Sequence, residues 1–324
     1  MPKAVVCRAL GTPETLRLED FVSQPLTPGQ VRVRIRAAGI NFPDILMAAG
    51  EYQLKPELPF TPGMEAAGDI SEIADDAKGV KVGDRVIVKL RFGGYAEEVV
   101  VTPSQLTPLP STFDYAEGAT FLAAHGTAHH ALVDRGQVKP GEVLLVHGAG
   151  GGVGLAAVEI GKLLGATVIA AASSEEKLAV AKARGADHGV LYSAEPFREA
   201  VKRITGGKGV DVVFDPVGGE IFEQSLRCIN WGARLLVIGF TGGIGVAKTN
   251  LVLIKGASVL GVRAGEAVRR DPKIGEARFR TLMAWAEAGK IRPNVSHRLP
   301  LADVAQAMRL LTERKAIGRV ALTM

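Results

Sequence analysis

Apolar and polar residues alternate over short runs in the first 123 positions. "QVRVRIRAAGI", "GDRVIVKL" and "GYAEEVVV" alternate or cluster β-branched residues, with Pro or Gly between the runs. That pattern predicts short, half-buried strands joined by turns. From Val143 the texture changes. The runs "VLLVH", "TVIAAA", "HGVLY", "VDVVFD", "RLLVIG" and "SVLGV" are mainly apolar rather than alternating, as expected of strands covered on both faces. Helical patterns at 153–164, 175–184, 195–204 and 220–229 separate them, several closed by glycine. Strand and helix in alternation predict a doubly wound α/β domain. Helix-like segments at 275–289 and 301–314 and a last strand, "GRVALTM", complete the chain.

With 324 residues, the chain is about twice the usual domain size, which predicts two domains. No run approaches the roughly 18 apolar residues of a membrane helix, and "MPKAVVCRAL" lacks the layout of a signal peptide. A cytoplasmic protein is the expectation. The two cysteines, Cys7 and Cys228, are far apart in sequence and have no second thiol nearby. They read as reduced and structural, with neither a disulfide framework nor a thiolate metal set. The formal charge of +5 is local: residues 263–324 carry 13 Lys and Arg against 6 Asp and Glu.

The densest signal is "GAGGGVG" at 148–154. In the register Ala149-x-Gly151-x-x-Gly154 it matches the dinucleotide fingerprint with alanine in the first seat. The first position makes the tight turn, Gly151 lets backbone approach a pyrophosphate, and Gly154 lets helix press on strand. Gly152 and Val153 would present amides at the helix N-terminus. An NAD site would show Asp or Glu at the end of the second strand, about 20 residues on. Here stand Ala172, Ser173 and Ser174, with Lys177 one turn into the next helix. The absent carboxylate and available lysine favour NADPH over NADH; Lys177 as an ordinary solvated lysine is the alternative. A second cluster, "GFTGGIGVAKTN" at 239–250, falls short of a P-loop because Ala247 takes the seat of the required glycine.

The segments "AAGINFPDILMAAGEY", "LPFTPGMEAAG", "VGDRV", "GGYAEE", "GTA", "VHGAGGGVG", "VDVVFDPVGG" and "IGRVAL", in that order, resemble the medium-chain dehydrogenase/reductase superfamily. Within it, they are similar to the zinc-independent, zeta-crystallin-like quinone oxidoreductases. The resemblance implies a discontinuous, mostly-β GroES-like catalytic domain (1–123 and 263–324) around a Rossmann NADP-binding domain (124–262). It also implies an active site in the cleft between domains and a homodimer joined through "SVLGV". Zinc-dependent relatives carry a cysteine where this chain has Asn41 and a histidine near Gly63-Met64-Glu65.

By the same resemblance, Asn41 and Tyr52 are the candidate catalytic side chains, orienting an acceptor and donating a proton; a packing role is the alternative for Tyr52. Thr127 matches a threonine near the nicotinamide, Tyr192 a residue near the adenosine phosphate, and Phe240 a neighbour of the nicotinamide. Helical and core roles are the alternatives for Thr127 and Phe240. Among Arg263, Arg269, Arg270, Lys273, Arg278 and Arg280, Arg263 and Arg270 are candidates for gripping the phosphates of an acyl-CoA substrate. His125 and His129 share a helix face at i, i+4, yet no HExxH motif accompanies them. The expected function is NADPH-dependent, zinc-free hydride transfer to a quinone or other conjugated carbonyl. A 2-enoyl-thioester reductase acting on an enoyl-CoA is the alternative, and an RNA-binding crystallin-like protein a further one, though no RNA-binding motif is present.

Overall fold

A computed structural model describes all residues, Met1–Met324. They form two compact units, 1–123 with 292–324, and 124–291.

The first unit is mostly β. Its strands are β1 (Lys3–Val6), β2 (Arg17–Asp20), β3 (Val31–Gly39), β4 (Glu65–Ile73), β5 (Arg85–Lys89), β6 (Glu98–Val101) and β7 (Leu106–Pro108), joined later by β14 (Val295–Pro300) and β15 (Arg319–Thr323). The alternation seen in the sequence is realised in β3. Val31, Val33 and Ile35 are buried while Arg34 and Arg36 face outward. Burying each such side chain contributes about 1.5–3 kcal/mol. The main sheet runs β14-β15-β3-β4-β5-β7, with β6 also paired to β3. Leu322 of β15 sits opposite Ala38 of β3, so the two ends of the chain share one sheet.

In the second unit, β8 (Val143–Val146), β9 (Thr167–Ala172), β10 (His188–Leu191), β11 (Val210–Asp215), β12 (Ile229–Val237) and β13 (Ser258–Gly261) form one parallel sheet in the order β10-β9-β8-β11-β12-β13. This is the doubly wound order, with the topological switch between β8 and β11. The central strands are inaccessible to solvent on both faces, Leu144, Val168, Val212 and Leu235 among them, as the unbroken apolar runs predicted.

The stretch 263–291, expected with the catalytic domain, packs within the second unit instead. The helix Pro272–Glu287 buries Leu282, Ala286 and Arg278. Arg278 reaches Asp134 at 3.2 Å, and Trp285 lies 5.8 Å from the His129 ring, centroid to centroid. These contacts tie the helix to the start of the second unit. Periodicity showed the helix but not the surface it covers.

Candidate functional site

The glycine run forms a turn between β8 and the helix Gly152–Leu163. Two glycines are sterically required. Gly148 adopts φ +57°, in the left-handed region. A Cβ on Gly154 would lie 2.3 Å from Gly148 O, so no larger residue lets the helix approach. Ala149 continues the strand pairing by donating to Ala171 O at 3.0 Å. Gly151 is the helix N-cap, and a Cβ there would meet only Gly148 O, at 3.3 Å. The turn therefore has an open side where a side chain is missing. Behind it the first helical turn, with Gly152 and Val153, holds no acidic residue, leaving the positive end of the helix dipole uncompensated. Such a cradle fits a pyrophosphate.

At the end of β9, Ser174 caps the helix Glu175–Ala183 by accepting from Lys177 N at 3.3 Å. Ser173 is exposed, and Lys177 Nζ donates to its hydroxyl at 3.3 Å. The Lys177 stem lies over the first turn: a Cβ on Gly150 would come within 2.6 Å of Lys177 Cβ and Cγ. Two segments separated by a strand thus meet, bringing an ammonium group beside the glycine cradle. Glu175 and Glu176 are also in this helix's first turn and exposed, where they satisfy the helix dipole.

Tyr192 follows β10 with its hydroxyl turned inward, 2.9 Å from His147 Nδ1, and Gly148 N–H donates to it at 3.3 Å. Thr127 is half-buried on the helix Leu122–His129. Phe240 is 56 % exposed and so is not a core aromatic. Its neighbours explain the second glycine cluster: Gly242 N–H donates to Val217 O at 2.7 Å, and a Cβ on Gly219 would lie 2.4 Å from Gly242 O. The cluster lets two loop backbones touch.

In the first unit, Asn41 opens the helix Phe42–Ala48 and is 95 % buried, at 5 % exposure. Both ends of its carboxamide are engaged. Oδ1 accepts from Arg319 Nη2 at 2.8 Å, and Nδ2 donates to Glu65 Oε1 at 3.3 Å. Arg319 also pairs with Glu65 at 2.5 Å, with both side chains buried, and Ala123 N–H donates to Glu65 Oε2 at 2.9 Å. Asp44 accepts from Asn41 N–H at 2.9 Å and from the Tyr95 hydroxyl at 2.8 Å. Burial pushes the Asp44 carboxyl up to about 7, against the pull of those two donors. Tyr52 is half-buried against the same core, and no residue of the chain holds its hydroxyl.

Residues 27–111 match the family model described as "Alcohol dehydrogenase GroES-like domain", and residues 152–288 the model described as "Zinc-binding dehydrogenase". The chain is 38 % identical over 324 residues to "Quinone oxidoreductase-like protein 2" of Bos taurus, covering 99 % of this chain and 92 % of that protein. It is 31 % identical over 307 residues to "Quinone oxidoreductase" of Homo sapiens, covering 94 % and 92 %. The chain belongs to the quinone oxidoreductase family of the medium-chain dehydrogenase/reductase superfamily. The solved quinone oxidoreductase of Escherichia coli, complexed with NADPH, superposes with a TM-score of 0.90 at 29 % identity, covering 99 % of this chain and 100 % of that one.

As a quinone oxidoreductase relative, the chain has no group of three or more His, Cys, Asp or Glu arranged to hold a metal ion. His125 is committed to Glu159 at 3.1 Å. Both cysteines are free and buried, and burial pushes the Cys228 thiol up to about 12. No helix is long and apolar enough to cross a membrane.

The C-terminal arginines do not form one basic patch. Arg263, Arg269 and Arg270 gather on the single carboxylate of Glu266. Arg278 pairs with Asp134, Arg292 with Glu117, Arg298 with Asp114 and Arg309 with Glu14. The charge excess is largely spent on internal ion pairs.

Sequence reasoning missed Glu65, Arg319, Tyr95 and His147. Charged residues inside the apolar segments "TPGMEAAG" and "IGRVAL" were the available signal for the first two, since a charge in a buried strand requires a partner.

Proposed function

We infer that this protein is an NADPH-dependent reductase that transfers hydride to a quinone or other conjugated carbonyl acceptor without zinc. The observation that carries the reading is the meeting of Lys177 with Gly150 and Ser173. It joins a pyrophosphate cradle to a cation at the strand end where an NAD site holds a carboxylate. The NADPH named for the Escherichia coli relative supports the same choice.

NADPH, when bound, supplies the hydride. The chain's own residues bind and orient. Ala149, Gly151, Gly152, Val153 and Gly154 receive the pyrophosphate, Ser173, Ser174 and Lys177 the adenosine phosphate, and Thr127 and Phe240 the nicotinamide end. Negative charge develops on the reduced acceptor and must be met by donors. Asn41 has two amide hydrogens. Glu65 takes one, and the other is the donor offered to the acceptor's oxygen. The uncommitted Tyr52 hydroxyl delivers the proton.

The acyl-thioester alternative rests on the same Tyr52. Its other support is weakened, because Arg263 and Arg270 share Glu266 with Arg269. The ion-pairing of the C-terminal arginines likewise argues against an RNA-binding role. A homodimer fits the edge of the parallel sheet: β13 pairs only with β12, and Trp231, Leu253 and Ile254 are 73 %, 79 % and 64 % exposed. Such an edge with apolar residues beside it favours a second copy.

The deciding assay follows NADPH and then NADH oxidation with 1,2-naphthoquinone and with acryloyl-CoA. Preferential use of NADPH with the quinone is expected. Oxidation only with acryloyl-CoA would favour the thioester reductase, and no oxidation of either cofactor would remove the enzyme reading.

A further inference from the structure

The helix Pro272–Glu287 and the segment His130–Arg135 line a common groove of about 610 Å³, within the roughly 300–1,000 Å³ typical of small-molecule sites. Its lining lies wholly in the second unit and shares no residue with the glycine turn. Leu164, which lines it, is the C-cap of the helix Gly152–Leu163. The turn is at the other end of that helix, 12 residues long, or roughly 18 Å at 1.5 Å per residue. The groove is therefore separate from the pyrophosphate cradle. One wall is wound unusually: Gly136 N–H donates to Ala131 O, five residues back, at 2.7 Å, and His130–Arg135 is a π-helical turn. Such turns are rare and gather at functional positions.

Val133 from this turn, Leu164, Ile274 and the Trp285 indole give the groove apolar walls. Its two most buried residues are polar: His129 is 5 % exposed and Arg278 7 %. Arg278 Nε and His129 Nδ1 have no hydrogen-bond partner, a costly state for buried polar atoms. The acids of the groove, in contrast, are engaged. Asp134 accepts from His130 Nδ1 at 2.7 Å and from Arg278 Nη2 at 3.2 Å, and Asp271 caps the helix by accepting Lys273 N–H at 3.0 Å. Two donors are left over, the Arg278 Nε–H and the exposed ammonium of Lys273, which no carboxylate of the chain pairs. Burial holds the His129 imidazole below its usual range, so near neutral pH it is uncharged and its one hydrogen can sit on either nitrogen. The groove thus lacks accepting oxygens and negative charge, beside a wall that is apolar and partly aromatic.

We propose that this groove binds a small aromatic carboxylate. The carboxylate accepts the Arg278 Nε–H, with the Lys273 ammonium supplying further positive charge at the rim. The aromatic ring lies against Trp285 and Ile274. A small rotation of the guanidinium turns Nε into the groove that Arg278 already lines, while Asp134 keeps its other side. The site stands independently of the dinucleotide reading given above.

The test titrates 2-naphthoate into the full chain, by calorimetry and by NMR of protein labelled with nitrogen-15 tryptophan. Of the two indole signals, that of Trp285 should shift and that of the exposed Trp231 should not. Ala277→Phe fills the groove from an exposed helix position and should abolish binding. Arg278→Lys keeps a counter-charge for Asp134 but lacks the Nε–H, and should weaken binding about threefold to tenfold. Lys273→Met should weaken it about twofold to fivefold. 2-Naphthalenemethanol, the same ring without the charge, should bind at least about fivefold more weakly. Absence of naphthoate binding to the wild type up to about 1 mM would overturn the proposal. So would a shift of Trp231 in place of Trp285, or an affinity unchanged in Ala277→Phe, since the probe would then sit elsewhere. Equal affinity for the alcohol would overturn the carboxylate assignment. Should Arg278→Lys fail to fold, Ala277→Phe decides alone. Failure of NADPH to bind would defeat the dinucleotide reading and leave this site intact.

Discussion

The side chain of Lys177 packs on the backbone of Gly150, with its stem where a Gly150 Cβ would be and its ammonium 3.3 Å from Ser173 Oγ. The missing side chain at 150 is thus a condition for the position of the cation. Lys177→Ala should weaken NADPH binding by roughly tenfold or more, as expected for a charge-assisted hydrogen bond, with NADH nearly unaffected. Gly150→Ala should displace the lysine stem and shift the two affinities in the same sense. Equal losses for NADPH and NADH in Lys177→Ala would refute the assignment.

Tyr52 presents a hydroxyl that the chain leaves uncommitted, unlike Tyr95, whose hydroxyl is bound to Asp44. Removing a proton donor typically lowers turnover by about 10²-fold to 10⁴-fold. Tyr52→Phe should show such a fall in kcat while NADPH affinity stays at its wild-type value. An unaltered kcat would remove Tyr52 from the mechanism.

Arg319 contacts both members of the buried Asn41 and Glu65 pair. Arg319→Met would leave the Glu65 carboxylate buried without its counter-charge, and loss of one partner from a buried pair costs about 3–5 kcal/mol. Urea unfolding monitored by circular dichroism should show that loss. The double variant Arg319→Met with Glu65→Gln should recover much of it, because no charge is then stranded.

Asp44 and His147 give the stability opposite dependences on pH. The folded Asp44 carboxyl is raised to about 7 from an unfolded value of about 4. Its contribution is full below about pH 4 and is lost as pH rises toward about 7. The folded His147 is depressed to about 3 from about 6.5. Its contribution is present above about pH 6.5 and is lost as pH falls toward about 3. Asp44→Asn should remove the first limb, so that urea midpoints between about pH 4 and pH 7 no longer decline on that account. A slope identical to that of the wild type would show that Asp44 is not the titrating group.

The sequence by itself determined both fold classes and the location of the glycine turn. Their causes are local. Strand burial is written into the period of apolar residues, as in Val31, Val33 and Ile35 against Arg34 and Arg36, and a tight turn needs glycine wherever it occurs. Only the tertiary structure decided which distant residues share a contact. It placed the Lys177 stem on Gly150, directed the Tyr192 hydroxyl to His147, set Arg319 between Asn41 and Glu65, and moved 263–291 into the second unit. Each of these depends on the partner required by a buried polar group or an apolar helix face. A one-dimensional pattern reveals that such a partner is needed, but its identity follows from the packing of elements far apart along the chain.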